Sequence, residues 1–428
     1  MPQFGSYRRS MTTLTAAQPQ HSTRHDSAAR STGTPRARIV SGPLALVFLS
    51  EFCALTSFYL MLSVTPMYAA AAGAGNTGAG LVTGVLLLGT VAAELVAPVL
   101  MRRFGYWAML LTGALLLGVP ALALLPGGSL AVIVTVSVVR GFGFGLCTVM
   151  TGALTAALLP PERRGEGLGL FGIVATAPGI VALPAGVWLA GHLGMATVAG
   201  LTAASALVPL AAFPLLSGGT GRQPAAARPG AGQPDGLLSG LRRAGQPRPF
   251  LIFAASTVAG GVVVSFLPLA AGVSGNVAAA GLLAQALTAT IGRWWAGRRG
   301  DRSGHARLLI PALAIASSGM VTMIWLASPA AVIAGMCLFG IGFGICQNAT
   351  FALMIERMPP AGAGTASALW NLAYDAGYGA GPAAFGLVVN HTGYPAAFAL
   401  TAVLMLAVVP LAWREHASAR ATAPLPGR

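Results

Sequence analysis

Apolar residues in this chain come in long uninterrupted runs, separated by short polar breaks rich in glycine, proline and arginine. The runs occupy 41–66, 78–100, 107–125, 129–158, 168–190 and 195–216. After a Gly/Pro/Arg/Gln-rich stretch they resume at 249–271, 276–296, 307–327, 329–355, 363–389 and 395–413. About 20 apolar residues in a helix cross the hydrocarbon core of a bilayer, and the runs approach or exceed that length. None shows the period-two alternation of a transmembrane barrel. The pattern predicts an all-α membrane protein with twelve transmembrane helices. They fall into an N-terminal half of six over 41–216 and a C-terminal half of six over 249–413, joined by a linker at 217–248. Residues 1–40 are polar and carry six arginines, so they read as a disordered tail. No secretory signal is expected there, because the first apolar run begins near Ile39 and is too long for one. Residues 414–428 read as a second tail.

Composition supports this class and removes others. Of 428 residues, 55% are hydrophobic and 8% are charged, too little charge for the surface of a soluble domain. The net charge of +15 invites a nucleic-acid reading. All 25 basic residues are arginine, however, and they are scattered over short loops rather than gathered on one face. No nucleic-acid partner is expected. Their placement instead sets the topology. With both termini in the cytoplasm, the inside segments hold Arg8–Arg38, Arg102/Arg103, Arg163/Arg164, Arg222–Arg248, Arg298–Arg307, Arg357 and Arg414–Arg428, and the outside loops hold none. Cys53, Cys147, Cys337 and Cys346 all lie in apolar runs and read as small buried residues. His192 and His391 fall in outer loops. No pattern suggests a metal, a cofactor or a nucleotide-binding loop.

The halves repeat. At a constant offset of 199 residues, GFGFGLCTVMT (141–151) falls on GIGFGICQNAT (340–350), VAPVLMRRFG (96–105) on WAGRRGDRSG (295–304), and Pro160-Pro161 on Pro359-Pro360. Parallel repeats of this kind mark secondary transporters whose site lies between the halves near the membrane midplane.

With twelve runs, a long central linker and two related halves, the sequence resembles the major facilitator superfamily over about 40–415. The most specific match is Gly297-Arg-Arg-Gly-Asp301-Arg302-Ser-Gly304, which is similar to that family's G-x-x-x-D-R-x-G loop between helices 8 and 9. The resemblance implies a cytoplasmic gate in which Asp301 caps a helix of the other half near Gly167. The first half departs from the motif, with Arg102 where the aspartate would stand. VVRGFGFG, carrying Arg140, resembles a second family motif associated with proton transfer. The fifth run, FGIVATAPGIVALPAG, loosely resembles a Gly/Pro-rich helix of exporters. SALWNLAYDAGYGAGP resembles an Asn–Asp helix of bacterial efflux permeases. The resemblance also implies a monomer.

A charge in the hydrocarbon core costs about 2.5–3.5 kcal/mol on insertion scales, so each intramembrane charge asks for a reason. Arg140, Asp375 and Glu51 fall well inside their runs and are the proton-coupling candidates. Arg140 is expected to pair with a carboxylate, Glu51 first and Asp375 second. Glu94 and Arg293 fall near run ends and read as snorkelling residues. Tyr59, Gln285, Gln347, Asn348, Trp370, Asn371 and Tyr374 could line a substrate cavity. Aromatic rings with a carboxylate would suit an amphipathic cation. The expected function is proton-coupled export of small amphipathic molecules across the cell inner (plasma) membrane by alternating access. The alternatives are a proton-coupled importer of a sugar, organic acid or other nutrient, and a non-transporting sensor or scaffold. No nucleophile–base–acid set suggests an enzyme.

Overall fold

The computed structural model describes residues 41–126, 128–159, 163–216, 237–243, 246–359 and 362–421. Their regular structure is entirely helical. The first half holds α1 (Gly42–Leu62), α2 (Val64–Ala69), α3 (Gly75–Phe104), α4 (Tyr106–Gly118), α5 (Leu130–Leu158), α6 (Arg164–Leu193) and α7 (Met195–Leu216). The rest holds α8 (Leu237–Arg242), α9 (Pro247–Phe266), α10 (Gly275–Ser303), α11 (Leu309–Thr322), α12 (Pro329–Glu356), α13 (Ala363–Ala407) and α14 (Val409–Ala421). The starts follow local chemistry. Ser41, Ser274 and Ser328 each accept a backbone N–H through the side chain at an N-cap, and Pro329 opens α12.

Among the described residues, nine helical stretches are long and apolar enough to cross a membrane. Two of them run 63 and 55 residues, about twice what one crossing needs, and each is broken at a glycine, Gly73 and Gly393. α10 has the length of a span, 29 residues, but its last turns carry Arg298, Arg299, Asp301 and Arg302. With both broken stretches counted as two and α10 added, the membrane-crossing helices number twelve, in two pseudo-symmetric sets of six.

The repeat is legible in the backbone itself. Seven glycines have positive φ. Six of them form three pairs at the 199-residue offset: Gly73 with Gly272, Gly105 with Gly304, and Gly194 with Gly393. Each pair breaks the chain between equivalent helices, and only glycine takes this conformation without strain. Helix packing repeats as well. A Cβ at Gly141 would strike the Leu86 carbonyl, and one at Gly340 would strike that of Gln285. Gly145 and Gly344 press likewise on the Thr90 and Ala289 carbonyls. Hydrophobic attraction does not hold helices together in lipid, so close backbone approach at small residues does. Large apolar side chains such as Leu88, Ile173, Val181 and Val403 are exposed on the outside of the bundle.

At the arginine-bearing end the structure departs from one sequence expectation and adds detail to two others. The motif 297–304 is not a loop. α10 runs through it to Ser303, and Gly304 ends the helix. The linker carries α8, and its Gln246, fully buried, donates to the Met354 carbonyl. The final tail begins as helix. α14 reaches Ala421, and its fully buried Glu415 lies between Arg248 and Arg357. A buried carboxylate needs such partners. Residues 1–40 and 422–428 lie outside the described residues.

Candidate transport site

Between the halves lies a cavity of about 110 Å³, walled by α1, α6, α10, α12 and α13. Tyr59, Gln285, Gln347 and Tyr374 line it. An adjoining cavity of about 220 Å³ is lined by Asn348, Trp370 and Asn371, and it shares Arg293 and Gln347 with the first. The structure thus brings all seven cavity candidates together. One wall is aromatic: Tyr374 stacks on Tyr378 with centroids 5.1 Å apart, and Trp370 stacks on Phe253 at 4.5 Å. On the facing wall Gly179 of α6 stands against the Tyr59 ring, where a Cβ would come within 3.2 Å.

The cation of this space is Arg293, which the sequence reading placed among the snorkelling residues. Its Nη2 donates to Gln347 Oε1 at 2.7 Å, its Nε is buried without an acceptor, and none of the described ion pairs includes it. The sequence clue was present in its offset: Arg293 is one helical turn before Gly297, so it shares the α10 face that meets α12 at Asn348.

Asp375 is buried but lines neither cavity. Its carboxyl group lies next to that of Glu94 on α3, across the junction between the halves. Two carboxyl groups can hydrogen-bond only with a proton between them, because a carboxylate is an acceptor alone. Asp375 adjoins Tyr374, so the pair sits beside the cavity wall. Glu94 is the second residue missed by the sequence reading. Its partner is 281 positions away in the chain, and no local pattern announces it.

Glu51 and Arg140 do not meet. Glu51 is buried with Oε2 at 2.5 Å from the Thr151 hydroxyl. Arg140, 1% exposed, donates from Nη1 to the Leu117 carbonyl at 2.6 Å and from Nη2 to the Ser57 carbonyl at 3.1 Å. The expected carboxylate pairing is therefore corrected: two backbone carbonyls take its place. Local chemistry supplies one of them. After Gly118 the chain tightens to a 3-10 turn beginning at Val119, which aims the Leu117 carbonyl at Pro120, a residue with no N–H to offer. That carbonyl is left open to the guanidinium.

The Asp301 latch is not made in this conformation. The Asp301 side chain is 79% exposed, and its described partner is His305, 3.9 Å away on the same hairpin. The glycines of the motif serve that hairpin. A Cβ at Gly300 would collide with the His305 ring, Gly304 turns the chain at positive φ, and Gly297 lies against Asn348. Arg302 is exposed beside Asp301. The halves are joined instead at the opposite, arginine-free end. There Asn76 donates to Asn390 at 3.0 Å, Asn390 donates to Thr77 at 2.9 Å, and the Tyr394 hydroxyl donates to Asn76 at 2.7 Å. Deeper in, Thr83 and Ser265 are 3.1 Å apart. His192 and His391 are exposed at this same end. Among the described residues no group of His, Cys, Asp and Glu could hold a metal ion.

These features define a class: a polytopic helical membrane protein of two parallel repeats, with a polar cavity at their junction. A family model described as Major Facilitator Superfamily matches residues 47–382, and the chain belongs to that superfamily. That superfamily is one of secondary transporters. An uncharacterised MFS-type transporter of Salmonella typhimurium (strain LT2) is 31% identical over 128 residues, which is 29% of this chain and 33% of that protein. The match thus spans about a third of that relative's length. A bacterial homologue of the lysosomal transporter Spinster, solved inward-facing and unoccupied, superposes with TM-score 0.68 at 16% identity, over 90% of this chain and 98% of that one. The nucleoside transporter NupG gives 0.67 at 14%, over 88% and 98%. The peptide transporter POT gives 0.68 at 16%, over 87% and 94%. At such identity the likeness is one of fold.

Proposed function

We propose that this chain is a proton-coupled exporter of small, partly apolar molecules in the cell inner (plasma) membrane, working as a monomer by alternating access. The observation that carries the coupling is the Glu94–Asp375 pair. Its two carboxyl groups come from different halves and lie side by side near the cavity wall, close enough to share a proton in a hydrogen bond. A rocking motion that parts α3 from α13 breaks that bond and frees the proton between them. Proton occupancy and conformation are then linked, because a ligand shifts an equilibrium by its differential affinity for the two states. The halves 41–216 and 249–413 act as the rocking bodies and 217–248 as their tether. The positive-inside rule puts the arginine-bearing end in the cytoplasm, so the Asn76–Asn390 clasp shuts the outer side and this conformation is inward-facing. The export direction rests on the Gly/Pro-rich α6, whose Gly179 and Gly186 pack on α1 at Tyr59 and the Leu60 carbonyl. A second reading, proton-coupled uptake of an organic acid, is favoured by Arg293 in the cavity.

Inverted vesicles with an imposed pH gradient test the coupling and the direction together. A transported compound should release protons through the unaltered protein, and Asp375→Asn and Glu94→Gln should each abolish the release. Undiminished release in both variants would remove the pair from the mechanism. Uptake coupled to proton entry in right-side-out vesicles would replace export by the second reading.

A further inference from the structure

The polar groups around the double cavity are unevenly matched. Arg293 is a cation set among neutral groups: the Gln347 amide beside it, the Asn348 and Asn371 amides and the Trp370 ring around it. Its Nε is buried with no acceptor, and across the same cavity Asn348 Oδ1 is buried with no donor. Buried polar groups are normally hydrogen-bonded, and these two belong to residues that line one cavity, the one short of an acceptor and the other of a donor. The neighbouring carboxyl groups of Glu94 and Asp375 lie next to each other and stand outside the lining.

Resting on the reading that this cavity is the transport site, we propose that the substrate is a small aromatic carboxylate that also carries a hydrogen-bond donor. Its carboxylate lies on Arg293, where a planar guanidinium offers parallel N–H groups to two oxygens. Its donor meets Asn348 Oδ1. Its flat body lies against Trp370 and Phe351, which meet edge to face with centroids 5.4 Å apart. The adjoining space of about 220 Å³ is smaller than the ~300 Å³ at which drug-sized pockets begin, so the body is about one ring. The aromatic wall that the sequence assigned to a cation thus serves the apolar part of an anion.

Binding to the purified full chain in lipid nanodiscs, at fixed pH and with no gradient, tests this apart from any coupling. The probes are 4-hydroxybenzoate, benzoate, benzamide and benzylamine. The expected order is 4-hydroxybenzoate, then benzoate, with benzamide and benzylamine at least about tenfold weaker, as loss of a charge-assisted bond implies. Arg293→Gln should weaken both carboxylates by about tenfold or more, and Arg293→Lys by less, since it keeps the charge without the fork. Asn348→Ala should erase the preference for the hydroxylated probe. The ranking on the unaltered protein stands even if a variant fails to fold. Stronger binding of benzylamine or benzamide, binding of none of the four, or carboxylate affinity unchanged in a folded Arg293→Gln protein would overturn the proposal. Carboxylate binding without any proton release through the unaltered protein would refute only the coupling.

Discussion

At the residue scale, the intramembrane charges were found by sequence and their partners were not. Arg140, Asp375 and Glu51 stood out because charge is costly in lipid and rare in this chain. Which groups they meet depends on helix rotation and on chain segments hundreds of residues apart, and periodicity does not carry that. Arg140 illustrates the difference. A charged pair with Glu51 would make the two residues strongly coupled. The carbonyl bonds to Leu117 and Ser57 make them independent. Arg140→Gln should destabilise the protein by about 2–4 kcal/mol, the loss of hydrogen bonds to a charged group. Glu51→Gln keeps an acceptor for Thr151 and should cost less than about 1 kcal/mol. The double variant, followed by thermal unfolding in nanodiscs, should show the sum to within about 0.5 kcal/mol, as independent sites do. A coupling of 2 kcal/mol or more would restore the ion pair.

At the element scale much more was legible, because the repeat writes the same physics twice. The apolar runs located the helices to within a few residues, and the 199-residue offset paired the two halves. What escaped was how far helices continue into polar sequence. α10 keeps its hydrogen bonding through GRRGDRS because nothing in those residues breaks a helix until Gly304. The paired glycines give the packing its test. Gly141→Val and Gly340→Val each push a side chain onto a carbonyl of the neighbouring helix, Leu86 and Gln285. Overpacking costs about 1–3 kcal/mol where neighbours can yield, and a backbone carbonyl yields least, so each should lower folded yield sharply and to a similar degree. Gly152→Ala, with nothing within 4 Å of the new Cβ, should elute from a sizing column as the unaltered protein does. Unequal damage at Gly141 and Gly340 would mean that the halves are packed less alike than their sequences are.

At the scale of the whole molecule, the sequence spoke of a gate at the arginine-bearing end, and the structure closes the other one. A sequence is common to every state of a transporter, so its motifs do not say which state is occupied. The closure seen here is a clasp of three side-chain hydrogen bonds among Asn76, Thr77, Asn390 and Tyr394. Neutral hydrogen bonds contribute about 0.5–1.5 kcal/mol each, so the clasp holds with roughly 1.5–4.5 kcal/mol. One proton entering down 100 mV supplies about 2.3 kcal/mol. The two are of the same size, so the clasp can bias the closed state and still be opened within a transport cycle. Fixing it should therefore stop that cycle. In a background with Cys53, Cys147, Cys337 and Cys346 replaced by alanine, Asn76→Cys/Asn390→Cys joined by a short reducible cross-linker should lose transport and regain it on reduction. A third substitution, Asn371→Cys, places a thiol on the exposed lining of the cavity. In the cross-linked protein it should react with an impermeant maleimide from the arginine-bearing side and not from the other. Transport that survives the cross-link would show that the halves separate elsewhere, and labelling from the arginine-free side would show that the clasp does not seal.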